Sequence, residues 1–91
     1  MYTIKFADGT TLKDLGLNGN HFVSQQELTP EFFTPEKLAH IEISYTPQEG
    51  EDESMIMDTM SGNYEYAEFI HCTHYQGVRG LADGYYFTLN V

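Results

Sequence analysis

The stretch NYEYAEFIHCTHYQGV, residues 63–78, decides how this chain folds. It is rich in aromatic and β-branched residues, the types that fit a pleated, half-buried surface, and it is long enough to form the main strand of a sheet. Alternation along it places Ala67, Phe69 and Tyr75 on one face and Tyr64, Tyr66, Ile70 and Cys72 on the other. A strand wet on one side would alternate apolar with polar. Apolar groups on both faces predict a central strand, or one interrupted by a bulge.

The flanks supply its neighbours. Downstream, GVRGLADG (77–84) is glycine-rich hairpin-loop chemistry, and Tyr85, Phe87, Leu89 and Val91 then alternate as a terminal strand. Upstream, HIEISYT (40–46) puts Ile41, Ile43 and Tyr45 on one face against His40, Glu42 and Ser44 on the other, the mark of a half-buried strand. PQEGEDES (47–54) has proline, glycine and four acids and predicts a solvated loop; MIMDTM (55–60) reads as a short strand or turn.

Thr29-Pro30-Glu31 and Thr34-Pro35-Glu36 each combine a capping threonine, a proline suited to the first helical position and an acid that complements the helix dipole. Proline at 35 disfavours helical geometry at Thr34, so neither site can begin a long helix. At the start of the chain, Asp8-Gly9 and Asn18-Gly19-Asn20 are turn chemistry. They punctuate a first strand with Tyr2, Ile4 and Phe6 on one face, a run through Leu15 and Leu17, and another from His21 to Ser24. The resulting expectation is a mostly β (α+β) single domain spanning 1–91. It holds a small antiparallel sheet of about five to six strands and one or two short helical turns near residues 30–39.

Composition narrows the function. The 91 residues are 41% hydrophobic with no apolar run of the roughly 20 residues a membrane helix needs. One cysteine excludes an intrachain disulfide. The opening MYTIKFADGT lacks the basic and apolar segments of a signal peptide, so the expected location is the cytoplasm of a host cell. Fourteen acids against four basic residues give a formal charge of −10, which excludes binding nucleic acid directly through a basic face.

That charge is concentrated. Between Lys37 and Arg79 there is no lysine or arginine, while Glu42, Glu49, Glu51, Asp52, Glu53, Asp58, Glu65 and Glu68 all fall there. Such a segment cannot neutralise itself locally, and it projects a field over a Debye length of about 8 Å. Glu49, Glu51, Asp52, Glu53 and Asp58, with Tyr64, Glu65, Tyr66 and Glu68, are therefore the candidate partner-binding residues. Carboxylates give long-range attraction to a basic protein, and the interleaved tyrosines offer apolar area and stacking for arginine. A solvated acidic face over core aromatics is the structural alternative.

His71-Cys72-Thr73-His74 is the densest group of metal-capable side chains. On a strand, Cys72 and His74 point the same way with a rise of about 6.6–6.8 Å between them, while His71 points to the other face. A tetrahedral zinc needs four donors, so His21, His40 or Asp58 would have to complete a set begun by Cys72 and His74. Cys72, His74 and His40 form the candidate metal set, with zinc the candidate cofactor. Adjacent residues on a strand diverge, so a Cys–His nucleophile pair is not expected. The acidic loop lacks the acid and glycine order of a calcium-binding EF-hand. The expectation is a protein without catalytic residues.

The opening TIKFADGTTL followed by LGLNGNHFVSQQEL resembles the start of small acidic proteins carried by prophages and mobile elements of Firmicutes. Some such proteins are anti-CRISPR inhibitors that bind a Cas nuclease and block its nucleic-acid channel, and this chain is similar to them in size and charge. The resemblance implies inhibition of a basic nucleic-acid-binding partner, with Cas9 as the partner it most suggests, by protein–protein contact and without a membrane. The alternatives are a structural or accessory phage protein that self-assembles through an exposed strand edge, and a small zinc-binding domain.

Overall fold

The computed structural model describes residues 1–51 and 60–91. Among the described residues seven strands form one antiparallel sheet: β1 (Tyr2–Phe6), β2 (Thr11–Asn18), β3 (His21–Ser24), β4 (His40–Tyr45), β5 (Gly62–Glu65), β6 (Glu68–Tyr75) and β7 (Gly84–Asn90). Their order across the sheet is β5-β4-β1-β2-β3-β7-β6. The fold is mostly β, as the alternation patterns require. Among the described residues no helix is long and apolar enough to cross a membrane.

Both early turns form where glycine permits them. Gly9 has φ +90, and the Asp8 side chain accepts from the Thr10 amide at 2.9 Å, closing β1 onto β2. Gly19 at φ +64 closes β2 onto β3, where Asn18 faces His21. β2 turns at Asp14, whose φ is +58. Its first half pairs with β1 and its second half with β3, so the bend lets one strand serve two differently oriented halves of the sheet.

The inner face carries the side chains that alternation predicts. Tyr2, Ile4 and Phe6 from β1, Ile41 and Ile43 from β4, and Phe87 and Leu89 from β7 are all buried. The segment between β3 and β4 lies over them as a strap. It contains a 3-10 turn (Pro30–Phe32) and a single-turn helix, α1 (Pro35–Leu38), which the Thr34 hydroxyl caps by accepting from the Lys37 amide at 3.3 Å. Phe33 is the strap's anchor, stacked on Phe69 at 4.8 Å and tilted against Phe87 at 5.0 Å, with Phe6 at 6.4 Å.

The 63–78 stretch is where expectation and structure part. It is two strands, β5 and β6, broken at Tyr66 and Ala67, and these strands occupy opposite ends of the sheet. β6 is therefore an edge strand and not a central one. The bulge alternative is the one observed, between Phe69 and His71. The extra residue, Ile70, resets the alternation: Phe69, Cys72 and His74 pair with the inward Leu89, Phe87 and Tyr85, whereas Glu68, His71, Thr73 and Tyr75 fall on the outer face.

This connection dictates the shape of the sheet. Six steps between flat neighbouring strands would separate β5 from β6 by about 29 Å. Three peptide links from Glu65 to Glu68 reach at most about 11 Å. The sheet therefore coils strongly, bringing its two end strands, β5 and β6, together at one corner. The short Tyr66-Ala67 link is that corner.

Candidate functional site

The corner is built from the strap outward. The Ala67 amide donates to the Leu38 carbonyl at 2.9 Å and the Tyr66 amide to the Ala39 carbonyl at 3.0 Å, so both residues are tied to the end of α1. Ala67 is buried beside the core. With Ala67 turned in and both amides committed, Tyr66 is held at φ +54 and its side chain is turned out, 82% exposed. A left-handed backbone costs a bulky non-glycine residue about 1–2 kcal/mol, and so exposed a ring recovers little of that by burial. Strain kept without a packing return points to a role outside folding.

Next to Tyr66 along the chain are Glu65 at the end of β5 and Glu68 at the start of β6, and further along β6 is Ile70, which the bulge leaves 51% exposed. His40, on β4 opposite Glu65, is also exposed. This short segment therefore exposes an aromatic and an aliphatic group interleaved along the chain with two exposed carboxylates.

The structure divides the candidate acidic array. Tyr64 faces Ile41, packs against the core and donates its hydroxyl to the Met60 carbonyl at 2.9 Å, so it supports the corner from beneath. Glu49 and Glu51 lie beyond the far end of β4. There the Tyr45 hydroxyl donates to the Glu51 carboxylate, and this bond pushes the Tyr45 phenol above its ordinary pKa. The length of β4, about 17 Å, separates that patch from the Tyr66 corner. Glu42 faces Lys5 across β1 and β4, which offsets its charge. Asp52, Glu53, Asp58 and most of the MIMDTM segment lie outside the described residues.

Of the candidate metal ligands, Cys72 and His74 share the inner side of β6 as the spacing predicts, but each is engaged separately. The Cys72 thiol donates to the Leu28 carbonyl at 3.8 Å, and burial pushes its pKa up, which disfavours the thiolate that binds metal. His74 stacks on Tyr85 at 4.2 Å with nearly parallel rings. His40 sits on β4 against Glu65. Among the described residues, no three His, Cys, Asp or Glu side chains come together to hold a metal ion.

Two features escaped the sequence. Ile70 is outward because of a bulge, and the only advance signal was apolar character on both faces of its stretch. On the outer face, His21 and His71 meet above Thr88, with ring centroids 5.2 Å apart. No protein-family model, curated protein or solved structure matches this chain.

Proposed function

We propose that this chain is a non-catalytic binding protein that docks on a basic nucleic-acid-binding protein and obstructs its nucleic-acid channel. The Tyr66 corner is the contact centre and the Glu49–Glu51 patch a second point of attraction. The observation that carries this reading is the strained, outward Tyr66 between Glu65 and Glu68. Tyrosine in such a position is the type of residue that anchors interfaces, and flanking carboxylates raise the encounter rate with a cationic surface. In its narrower form the partner is a Cas nuclease, Cas9 by the resemblance of the opening residues, and the protein is an anti-CRISPR inhibitor from a mobile element acting in the host cytoplasm.

The test is DNA cleavage by purified, guide-loaded Cas9 with the protein in molar excess. Loss of cleavage, restored when Tyr66→Ala is combined with Glu65→Gln and Glu68→Gln, supports the reading. Full cleavage with the wild-type protein overturns the narrower form. The broad form falls if, in addition, the protein fails to displace nucleic acid from other basic nucleic-acid-binding proteins.

The edge position of β6 among the described strands favours a second reading, self-assembly by strand addition. The bulge at Ile70 and the charge of Glu68 both blunt that edge, and a net charge of −10 on every copy opposes association. A monomer on size exclusion at low salt favours docking; a stable oligomer favours assembly.

A further inference from the structure

The outer face of the β3-β7-β6 half of the sheet carries a second arrangement. Thr88 on β7 is a small, buried residue flanked by the strands that bear His21 and His71. His71 is its register partner on β6, and on the β3 side Thr88 Oγ1 and His21 Nδ1 share a hydrogen bond of 2.6 Å. Because threonine is short, the two imidazoles lean toward each other over it, with centroids 5.2 Å apart and planes at 82°. His21 is half-buried and His71 exposed, so the pair opens to solvent on one side. Tyr86, 6.5 Å from His21, borders the site along β7.

We infer that His21 and His71 form a two-histidine site for a divalent transition-metal ion such as zinc, with water completing the coordination. With zinc–nitrogen bonds of about 2.0–2.1 Å and the ligating nitrogen about 1.2 Å from its ring centre, two imidazoles at a tetrahedral angle place their centroids about 5.2 Å apart. The observed spacing of the edge-to-face pair is compatible with that value and lies within the ordinary range for ring contacts, so the metal titration decides between them. Thr88 supplies the orienting partner that metal-bound histidines ordinarily have: when its oxygen accepts from Nδ1–H, the His21 Nε2 lone pair is free to bind. The site uses neither Cys72 nor His74, which lie on the inner side of β6. Two protein donors with open water positions make an exposed, exchangeable site and not a closed structural one.

The test is titration of the full chain with Zn²⁺, followed through the imidazole resonances of all four histidines. The variants are His71→Ala, Thr88→Val and Cys72→Ser. His71→Ala removes an exposed ring, and Thr88→Val keeps the shape beneath it. The expected result is saturable one-to-one binding that shifts His21 and His71 together. Affinity should fall at least about tenfold in His71→Ala, fall in the same direction in Thr88→Val by the roughly 10–100-fold typical of lost second-shell partners, and stay unchanged in Cys72→Ser. The inference is overturned by the absence of saturable shifts at His21 and His71, or by binding that survives His71→Ala. Binding lost in Cys72→Ser would likewise overturn it.

Discussion

Replacing Tyr66 by glycine and by alanine separates its cost to folding from its proposed use in binding. At an ordinary strand position glycine is less stable than alanine by about 0.5–1 kcal/mol, because the unfolded chain gains more freedom. At φ +54 the order reverses. Alanine keeps the left-handed penalty of about 1–2 kcal/mol, whereas glycine is free of it and carries only its entropic cost. Tyr66→Gly is therefore more stable than Tyr66→Ala by about 0.5–1 kcal/mol, a Tm difference of roughly 2–8 °C in a domain of this size. With the native ring 82% exposed, Tyr66→Gly is also at least as stable as the wild type. Under the proposed docking mode both variants lose the aromatic anchor and bind the proposed basic partner more weakly by about 2 kcal/mol, near thirtyfold. Urea and thermal denaturation of the three proteins, beside their affinities, read both quantities. A glycine variant less stable than the alanine variant would refute the strain argument.

The remaining predictions concern the frame around that corner. Phe33→Ala removes the ring that joins the strap to Phe69 and Phe87 and costs about 3–5 kcal/mol, a large share of the roughly 5–14 kcal/mol expected of 91 residues; equilibrium denaturation measures it. Gly84→Ala places a methyl group 2.9 Å from the Ser24 carbonyl oxygen at φ +154, so stability should fall by more than about 1 kcal/mol, and a melt that matches the wild type would contradict the close β3–β7 approach. Hydrogen bonding to Glu51 raises the Tyr45 pKa above its ordinary value near 10. The stability this bond contributes is therefore complete below pH 10 and lost as pH climbs through the raised folded value. In an ultraviolet titration of the seven tyrosines, Tyr45 should ionise late in the wild type and earlier in Glu51→Gln, with Tyr45→Phe identifying its signal.

Local chemistry made much of this architecture readable from the chain. Asp8-Gly9 and Asn18-Gly19-Asn20 turn where glycine must take positive φ, and period-two burial holds along Tyr2-Ile4-Phe6 and Ile41-Ile43. The 63–78 stretch was legible only as an anomaly. Its two-sided apolar character signals a bulge or a central strand, and nothing local distinguishes them. The break at Tyr66 depends on carbonyls at Leu38 and Ala39, far away in sequence, and no propensity of Tyr66 or Ala67 announces it. The same long-range coupling split the acidic array. Glu65 and Glu68 stay near Tyr66, whereas Glu51 follows Tyr45 to the other end of β4. His21 and His71 are fifty residues apart and meet only because β7 seats Thr88 between their strands.

The most direct test of the proposed docking surface is the association rate with purified, guide-loaded Cas9, the partner proposed above, measured by stopped flow from about 50 mM to about 500 mM salt for the wild type and the Glu65→Gln/Tyr66→Ala/Glu68→Gln variant. The wild-type rate should fall steeply with salt, while the variant starts slower at low salt, shows a shallower slope and dissociates faster. A wild-type rate that ignores salt, or a variant that binds as the wild type does, would contradict recognition through this corner.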